Sequence, residues 1–365
     1  MRVLIAGNLA NTGYYIAKLL RTKGIDTDLL MKKNDLIVHD PRSLDNMIEY
    51  PEWIKFWDGT KRNWKLAIVR MMKKYDIIHA STELPIFALF SRKPYIAMTT
   101  GDDIVELAQQ KTIKGILLKC AYKKARAVVY TGTYMYPSVI KLKLRNALFI
   151  PLVWDYEKFN PQQNRKTNEK FIIFHPTNHY WKDKGNDIFL KAFVKLAKTD
   201  NNVHLVTINR GRDFQQSLEI LNVPELREKF TILPETLPQN QLPQIYASAD
   251  VIVDQFVSGS IGLIGQEAMA SEKPLISHIN TELYQKIYGD IPPILNAKTE
   301  NEIYNLLVQI SSDTNMRHKI GKESRKWLLK HHNTDTIIEK YIYLYRAVLD
   351  KIDYTEIKRR ITSTS

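Results

Sequence analysis

Short apolar runs rich in β-branched residues alternate along the chain with longer segments whose apolar positions recur at helical spacing. That alternation predicts strands joined by helices, and hence parallel sheets of α/β construction. VLIA (3–6) reads as the first strand, followed by the turn residues Gly7, Asn8, Asn11 and Gly13. A helix through YYIAKLLRTKG is expected to close at Gly24, a residue type suited to a C-cap. DIIHA (76–80), PYIAMTT (94–100), AVVYT (127–131) and ALFIPL (147–152) read as later strands. WKLAIVRMMKKY (64–75) carries apolar residues at helical spacing and a basic opposite face, which predicts a helix packed on the sheet.

The polar stretch NPQQNRKTNEK (160–170) interrupts the pattern and is the linker candidate. Beyond it the alternation restarts with FIIFHP (171–176), a helix DIFLKAFVKLAK, and the strands HLVTIN (204–209), FTILPE (230–235), VIVDQF (251–256), PLISH (274–278) and PPILN (292–296). In 334–350, Ile337, Tyr341, Leu344, Tyr345 and Val348 form one apolar stripe of a long helix. The expected organisation is therefore two α/β domains, 1–165 and 166–333, and a helical tail, 334–365.

Composition narrows this picture. With 365 residues, 44% of them apolar, the chain is long enough for two cores. No apolar run approaches the roughly 18–20 residues that cross a bilayer. The opening MRVLIAGNLA reads as a strand rather than a signal peptide. The single cysteine, Cys120, excludes an intramolecular disulfide framework, and its setting in GILLKCAY predicts a buried, inert thiol. A cytoplasmic protein is expected. Net charge is +14, and residues 1–165 hold 27 Lys/Arg against 15 Asp/Glu, a net +12. Between 107 and 154 there are nine basic side chains (Lys111, Lys114, Lys119, Lys123, Lys124, Arg126, Lys141, Lys143, Arg145) and no acidic one. Such a surface suits anionic lipid headgroups or a phosphorylated acceptor, with a plain solvated face as the alternative. Nucleic acid is not expected, because no recognition motif accompanies the charge.

The strongest local signal is SGSIGLIGQEAMASEKPLIS (258–277). Glycines at 259, 262 and 265 follow a predicted strand and precede the predicted helix QEAMAS. Such a loop lets backbone N–H groups approach an anion, with the helix dipole adding to the attraction. Glu267, expected in the first helical turn, is placed either to accept hydrogen bonds from vicinal ribose hydroxyls or merely to complement the dipole.

GLIGQEAMASEKPLI resembles the signature of glycosyltransferase family 4 (group 1), in which a glycine loop leads into EAMA, a small residue, Gly, Lys and Pro. Four further segments match in order. WKDKGNDIFLKAF (181–193) is similar to the family's Lys-Gly before a helix, and LPQIYASADVIVDQF (242–256) to its alanine-aspartate-strand segment. IPLVWDYEKFNP (150–161) is similar to the interdomain proline segment, and PYIAMTTGDDI (94–104) to the strand ending in Gly and Asp. The resemblance implies two Rossmann-like domains facing a cleft, the GT-B fold, with a C-terminal helix crossing back to the first domain. It implies a metal-independent, hexosyltransferase-like enzyme that moves a sugar, with retention, from a nucleotide-sugar donor to a sugar or lipid-linked acceptor. No cofactor or metal is implied. By the same resemblance Glu267 holds the donor ribose, backbone at Ile261, Gly262 and Leu263 meets the phosphates, and Lys184 neutralises the departing diphosphate. Asn11, Gly13, His79 and Asp103 are the acceptor-side or cleft candidates, although a structural, hydrogen-bonded role suits His79 and His175 as well.

Three positions depart from the family pattern. The first of its two glutamates, eight residues before Glu267, is Gly259. The arginine five or six residues before Lys-Gly is replaced by Asn178 and His179, leaving Lys182, Arg210 or Arg212 to supply charge. Thr100 stands where a histidine usually precedes Gly101. The alternatives to an active transferase are a catalytically inactive relative that binds a nucleotide or glycan, and a nucleotide-sugar epimerase of the same architecture.

Overall fold

A computed structural model describes residues 1–36, 39–45, 47–161, 170–237 and 240–363. It divides the chain into two compact units, Met1–Trp154 with His332–Ser365, and Asp155–His331. Most of the linker candidate, residues 162–169, lies outside the described residues. The first break comes ahead of that polar stretch because Tyr156 and Phe159 are buried anchors of the second unit.

The first unit runs β1 (Arg2–Ala6), α1 (Thr12–Thr22), β2 (Asp26–Lys32), β3 (Ile54–Trp57), α2 (Trp64–Met72), β4 (Ile77–Ser81), α3 (Pro85–Ser91), β5 (Tyr95–Thr99), α4 (Asp102–Val105), α5 (Ile113–Lys124), β6 (Ala127–Tyr130), α6 (Tyr136–Lys141) and β7 (Ala147–Phe149). Its seven strands lie in the order β3-β2-β1-β4-β5-β6-β7. Every pairing is parallel; Val3, for example, sits between Thr27 and Ile77. Parallel strands covered on both faces become continuous apolar runs. Hence the central strands β1, β4, β5 and β6 were legible in the sequence. β2, whose polar Asp26 and Asp28 break the run, and the edge strand β3 were not.

The second unit contains β8 (Phe171–His175), α7 (Trp181–Lys184), α8 (Asn186–Thr199), β9 (Val203–Ile208), α9 (Phe214–Leu221), β10 (Phe230–Leu233), α10 (Leu242–Ser248), β11 (Val251–Val253), α11 (Leu263–Ala270), β12 (Leu275–Ser277), α12 (Thr281–Tyr288), β13 (Leu295–Asn296), α13 (Glu300–Ser312) and α14 (Thr314–His331). Its parallel sheet has the order β10-β9-β8-β11-β12-β13. Phe189, Leu190, Phe193 and Leu196 of α8 pack with Ile173, Leu205 and Val251 from three strands in one core.

The chain then returns to the first unit through α15 (Thr334–Leu349) and α16 (Tyr354–Ser363). The whole α15 stripe, Ile337, Tyr341, Leu344, Tyr345 and Val348, is buried there. Tyr345 reaches His79 of β4, and the Tyr341 hydroxyl lies 3.8 Å from the Met98 sulfur of β5.

One sequence expectation is corrected. Cys120 is exposed, because α5 turns Leu118, Ala121 and Tyr122 inward and the thiol outward. On α2, Ile68 and Met72 are buried, as expected of a helix packed on the sheet, and Leu66 is an exposed apolar residue. Among the described residues no helix is long and apolar enough to cross a membrane.

Candidate functional site

In the second unit, polar side chains gather where β8, β9 and β11 end. α7 is a single turn that stops at Gly185 in the left-handed region (φ 71°), a conformation disfavoured for residues with a Cβ. This turn ties Lys184 to the end of β11 twice. Its carbonyl accepts from the Phe256 amide at 2.8 Å, and its ammonium donates to Gln255 Oε1 at 2.6 Å. Next to them lies Asp254, which is 2% exposed. Thr177 donates to its Oδ1 at 2.8 Å, while Oδ2 is buried without a partner in bonding geometry. Burial pushes the Asp254 pKa up, opposed by the charge of Lys184, by Thr177, and by the nearby amides of Gly262 and Gly265.

α11 begins at Leu263, earlier than the QEAMAS pattern predicted, so Glu267 lies in the second turn instead of the first. The helix dipole acts over the first turn, which weakens the dipole reading of this residue. Glu267 is buried and accepts a 2.8 Å hydrogen bond from the Tyr246 hydroxyl of α10. Its neighbour Gln266 accepts from Tyr156 at 2.6 Å. Of the three loop residues expected at the phosphates, Ile261 is corrected: its amide already donates to the Tyr284 hydroxyl at 2.8 Å. Gly262 and Leu263 remain partly accessible.

Arg210 follows β9, and its Nε donates to the side-chain oxygen of Asn178. The guanidinium therefore lies beside Asn178, one of the two positions where the resemblance called for an arginine. It interacts electrostatically with Glu235, Tyr180, Tyr246 and Glu267, and burial lowers its pKa. Lys182 is exposed on α7, and Arg212 pairs with Asp183 at 3.2 Å. His179 is enclosed, bonding Ser217 at 2.8 Å and Thr207 at 3.1 Å. His175 contacts the Val253 carbonyl and the Asn186 amide, both at 2.9 Å. Burial lowers their pKa values to about 4 and about 3. Both histidines tie strand ends to neighbouring elements.

The first-unit candidates are held more by the fold itself. Asn11 lies in the left-handed region (φ 62°), beside Ala10 (φ 47°), and its side chain accepts from Asn8 at 3.0 Å. Asn8 also donates to the His39 carbonyl, and His39 Nδ1 meets the Ala10 amide at 3.0 Å. A Cβ on Gly13 would come within 2.0 Å of the Gly7 carbonyl oxygen, so the tight β1–α1 turn admits only glycine there. His79 is corrected from a cleft residue to a packing one. It is 1% exposed, meets the Tyr345 hydroxyl at 2.7 Å, and has its pKa lowered to about 3 by burial. Asp103 organises its own loop, accepting from the amides of Thr100, Gly101 and Ile104 and from the Tyr122 hydroxyl.

Sequence reasoning missed Asp254, Gln255, Tyr246 and Asn8. The signal for the first two was present, since Asp-Gln directly after an apolar strand places polar groups where α/β folds carry their sites.

Residues 155–327 match the family model of glycosyl transferases, group 1. The second unit belongs to this family. Two curated relatives are each 26% identical to the chain. One is an uncharacterized glycosyltransferase of Methanocaldococcus jannaschii, aligned over 205 residues, or 55% of this chain and 51% of that protein. The other is the O-antigen chain mannosyltransferase RfbU of Salmonella typhimurium, aligned over 197 residues, 53% of this chain and 51% of that one. The matches thus span about half the length of each relative. Among solved structures, Anabaena Alr3699/HepE in complex with UDP and glucose is similar with a TM-score of 0.76, at 15% identity, over 95% of this chain and all of that one. At that identity the likeness concerns the fold: the chain has the α/β architecture of two parallel sheets found in GT-B glycosyltransferases. Within this group 1 unit, Lys184 is tied through Gln255 to the glycine loop, and Arg210 interacts electrostatically with Glu267 of α11.

Proposed function

We propose that this chain is a glycosyltransferase that moves a hexosyl unit from a nucleoside-diphosphate sugar to an acceptor, with retention and without a metal ion. The observation that carries this reading is the position of Arg210. Its guanidinium is bonded to Asn178 and interacts electrostatically with Glu235 and Glu267, and it would supply the cation that position 178 lacks. In this reading Glu267 accepts from the donor ribose. Lys184 and Arg210 face the diphosphate together with the open start of α11. As the bond from sugar to diphosphate breaks, negative charge grows on the leaving oxygen, and preorganised cations stabilise that state more than the ground state. No carboxylate occupies position 259, so no nucleophile is assigned. The UDP and glucose held by the HepE structure support a nucleotide-sugar donor. The acceptor, a sugar or a lipid-linked glycan precursor, is assigned to the first unit. The basic run between 107 and 154 would bring that unit to an anionic cytoplasmic membrane surface.

The test is incubation with UDP-, GDP- and ADP-sugars, with and without candidate acceptors, reading free nucleotide and product. Acceptor-dependent release supports transfer. Nucleotide binding with no turnover points to an inactive binding module, and a rearranged sugar without net transfer to an epimerase.

A further inference from the structure

Gln255 joins the two parts of the site that are separated in sequence. It is 4% exposed. Its Oε1 accepts from the Lys184 ammonium at 2.6 Å, and its Nε2 donates to the Ser260 carbonyl at 2.8 Å. The chemistry fits glutamine closely. An ammonium only donates and a carbonyl only accepts, so the bridge needs one group that does both. Glutamate would accept from Lys184 but could not, when ionised, donate to Ser260. The backbone holds Gln255 as well, since its carbonyl accepts from Ser277 Oγ at 2.8 Å and from the His278 amide at 2.9 Å. A Cβ on Gly262 would lie 3.2 Å from Gln255 Nε2, so the glycine loop closes directly over this amide. Among the described residues Lys184 Nζ has this one hydrogen bond, to a neutral acceptor. The remaining donors of its ammonium have no hydrogen-bond acceptor among the described residues, and the buried Asp254 carboxyl offsets part of its charge.

We propose that Gln255 is a positioning residue that fixes Lys184 and the glycine loop, 259–262, in one arrangement for the donor diphosphate. This rests on the donor-site reading above. Without the bridge, the lysine samples other rotamers and the loop loses an anchor, so a diphosphate must order both when it binds.

The experiment is a double-mutant cycle on nucleotide binding, which separates action through Lys184 from general damage. The dissociation constants of UDP, GDP and ADP are measured for the full chain as wild type, Gln255→Leu, Lys184→Ala and the double variant, with melting curves alongside. Gln255→Met is the second variant if the leucine form does not fold. Loss of one hydrogen bond to a charged group predicts about tenfold weaker binding in the wild-type background. In the Lys184→Ala background the same change should cost less than about twofold if the two act as one unit. Equal losses in both backgrounds, or no loss in either, overturn the proposal. A wild-type chain that binds none of the three nucleotides overturns the donor-site reading, and this inference with it.

Discussion

Replacing Glu267 by alanine and by glutamine should give two different outcomes, because the carboxyl group has a partner inside the protein. Tyr246 is 1% exposed, and its hydroxyl donates to Glu267 Oε2 at 2.8 Å; its other contact, to the Ile264 carbonyl, is at 3.5 Å. Glu267→Ala removes the main acceptor of a buried hydroxyl, which costs about 1–3 kcal/mol. For a unit of this size each kcal/mol lowers the melting temperature by about 2–4 °C, so a fall of roughly 2–12 °C is expected. Glu267→Gln keeps an oxygen for Tyr246 and should melt within a few degrees of the wild type. Towards a nucleotide both variants lose charge-assisted bonds to the ribose hydroxyls. At about 1.5–3 kcal/mol, that loss weakens binding by roughly 10–150-fold. The assay pairs calorimetric titration with UDP, GDP and ADP with thermal denaturation. A glutamine variant that binds as tightly as the wild type would remove Glu267 from the ribose. An alanine variant with an unchanged melting temperature would refute the packing role.

Arg210→Ala should lower kcat/KM about 10–150-fold, since a charge-assisted contact to phosphate is lost. Its melting temperature should change little because Asn178 is only half-buried, and an unchanged kcat/KM would leave the diphosphate to Lys184 alone. Lys184→Ala should reduce turnover more than acceptor affinity, because its partner gains charge in the transition state; full turnover would remove it from the mechanism. His79, lowered to about 3 by burial, stays neutral in the folded state while the unfolded side chain titrates near 6.5. Its contribution to stability is therefore complete above pH 6.5 and is lost as pH falls from there towards 3, by about 1.4 kcal/mol per pH unit. Melting between pH 7 and 5.5 should consequently fall more steeply for wild type than for His79→Gln, and equal slopes would contradict this. Binding to anionic vesicles should be lost at high salt and in a variant with Lys119, Lys123 and Lys124 changed to Glu. Equal binding to neutral and anionic vesicles, or to neither, would leave the basic half as a soluble-acceptor site or plain surface.

What the sequence made legible were elements whose burial is uniform. Both sheets were read from apolar runs such as VLIA and VIVDQF, and α15 from its stripe, because parallel strands and packed helices impose periods that the residues must follow. Helix starts were harder. α11 begins at Leu263 because tertiary packing extends the helix through Gly265, a residue that local propensity assigns to a loop. That one-turn extension moved Glu267 out of the first turn. Cys120 was misplaced for a related reason: GILLKCAY is apolar overall, yet only one side of α5 faces the core.

Both units place polar residues after the ends of parallel strands, where folds of this class carry their sites, but the two groups differ in what remains unpaired. In the first unit the Asp103 carboxyl is filled by three loop amides and Tyr122, Asn8 is bound to Asn11, His39 and Tyr14, and Gly13 is pressed on Gly7. These contacts consume the groups that form them, so the loops gain a fixed shape and leave recognition to whatever surface that shape presents. In the second unit Lys184 and Arg210 carry more donors than their protein partners accept, and Gln255 and Asn178 engage them without neutralising them. A buried or half-buried cation held by neutral amides is costly unless an anion completes it. Asp254 supplies part of that compensation to Lys184, and Glu235 and Glu267 to Arg210. A diphosphate would supply the rest. On the proposed reading, the surplus of positive donors over internal acceptors is thus what would distinguish a diphosphate site from a polar network that only supports the fold.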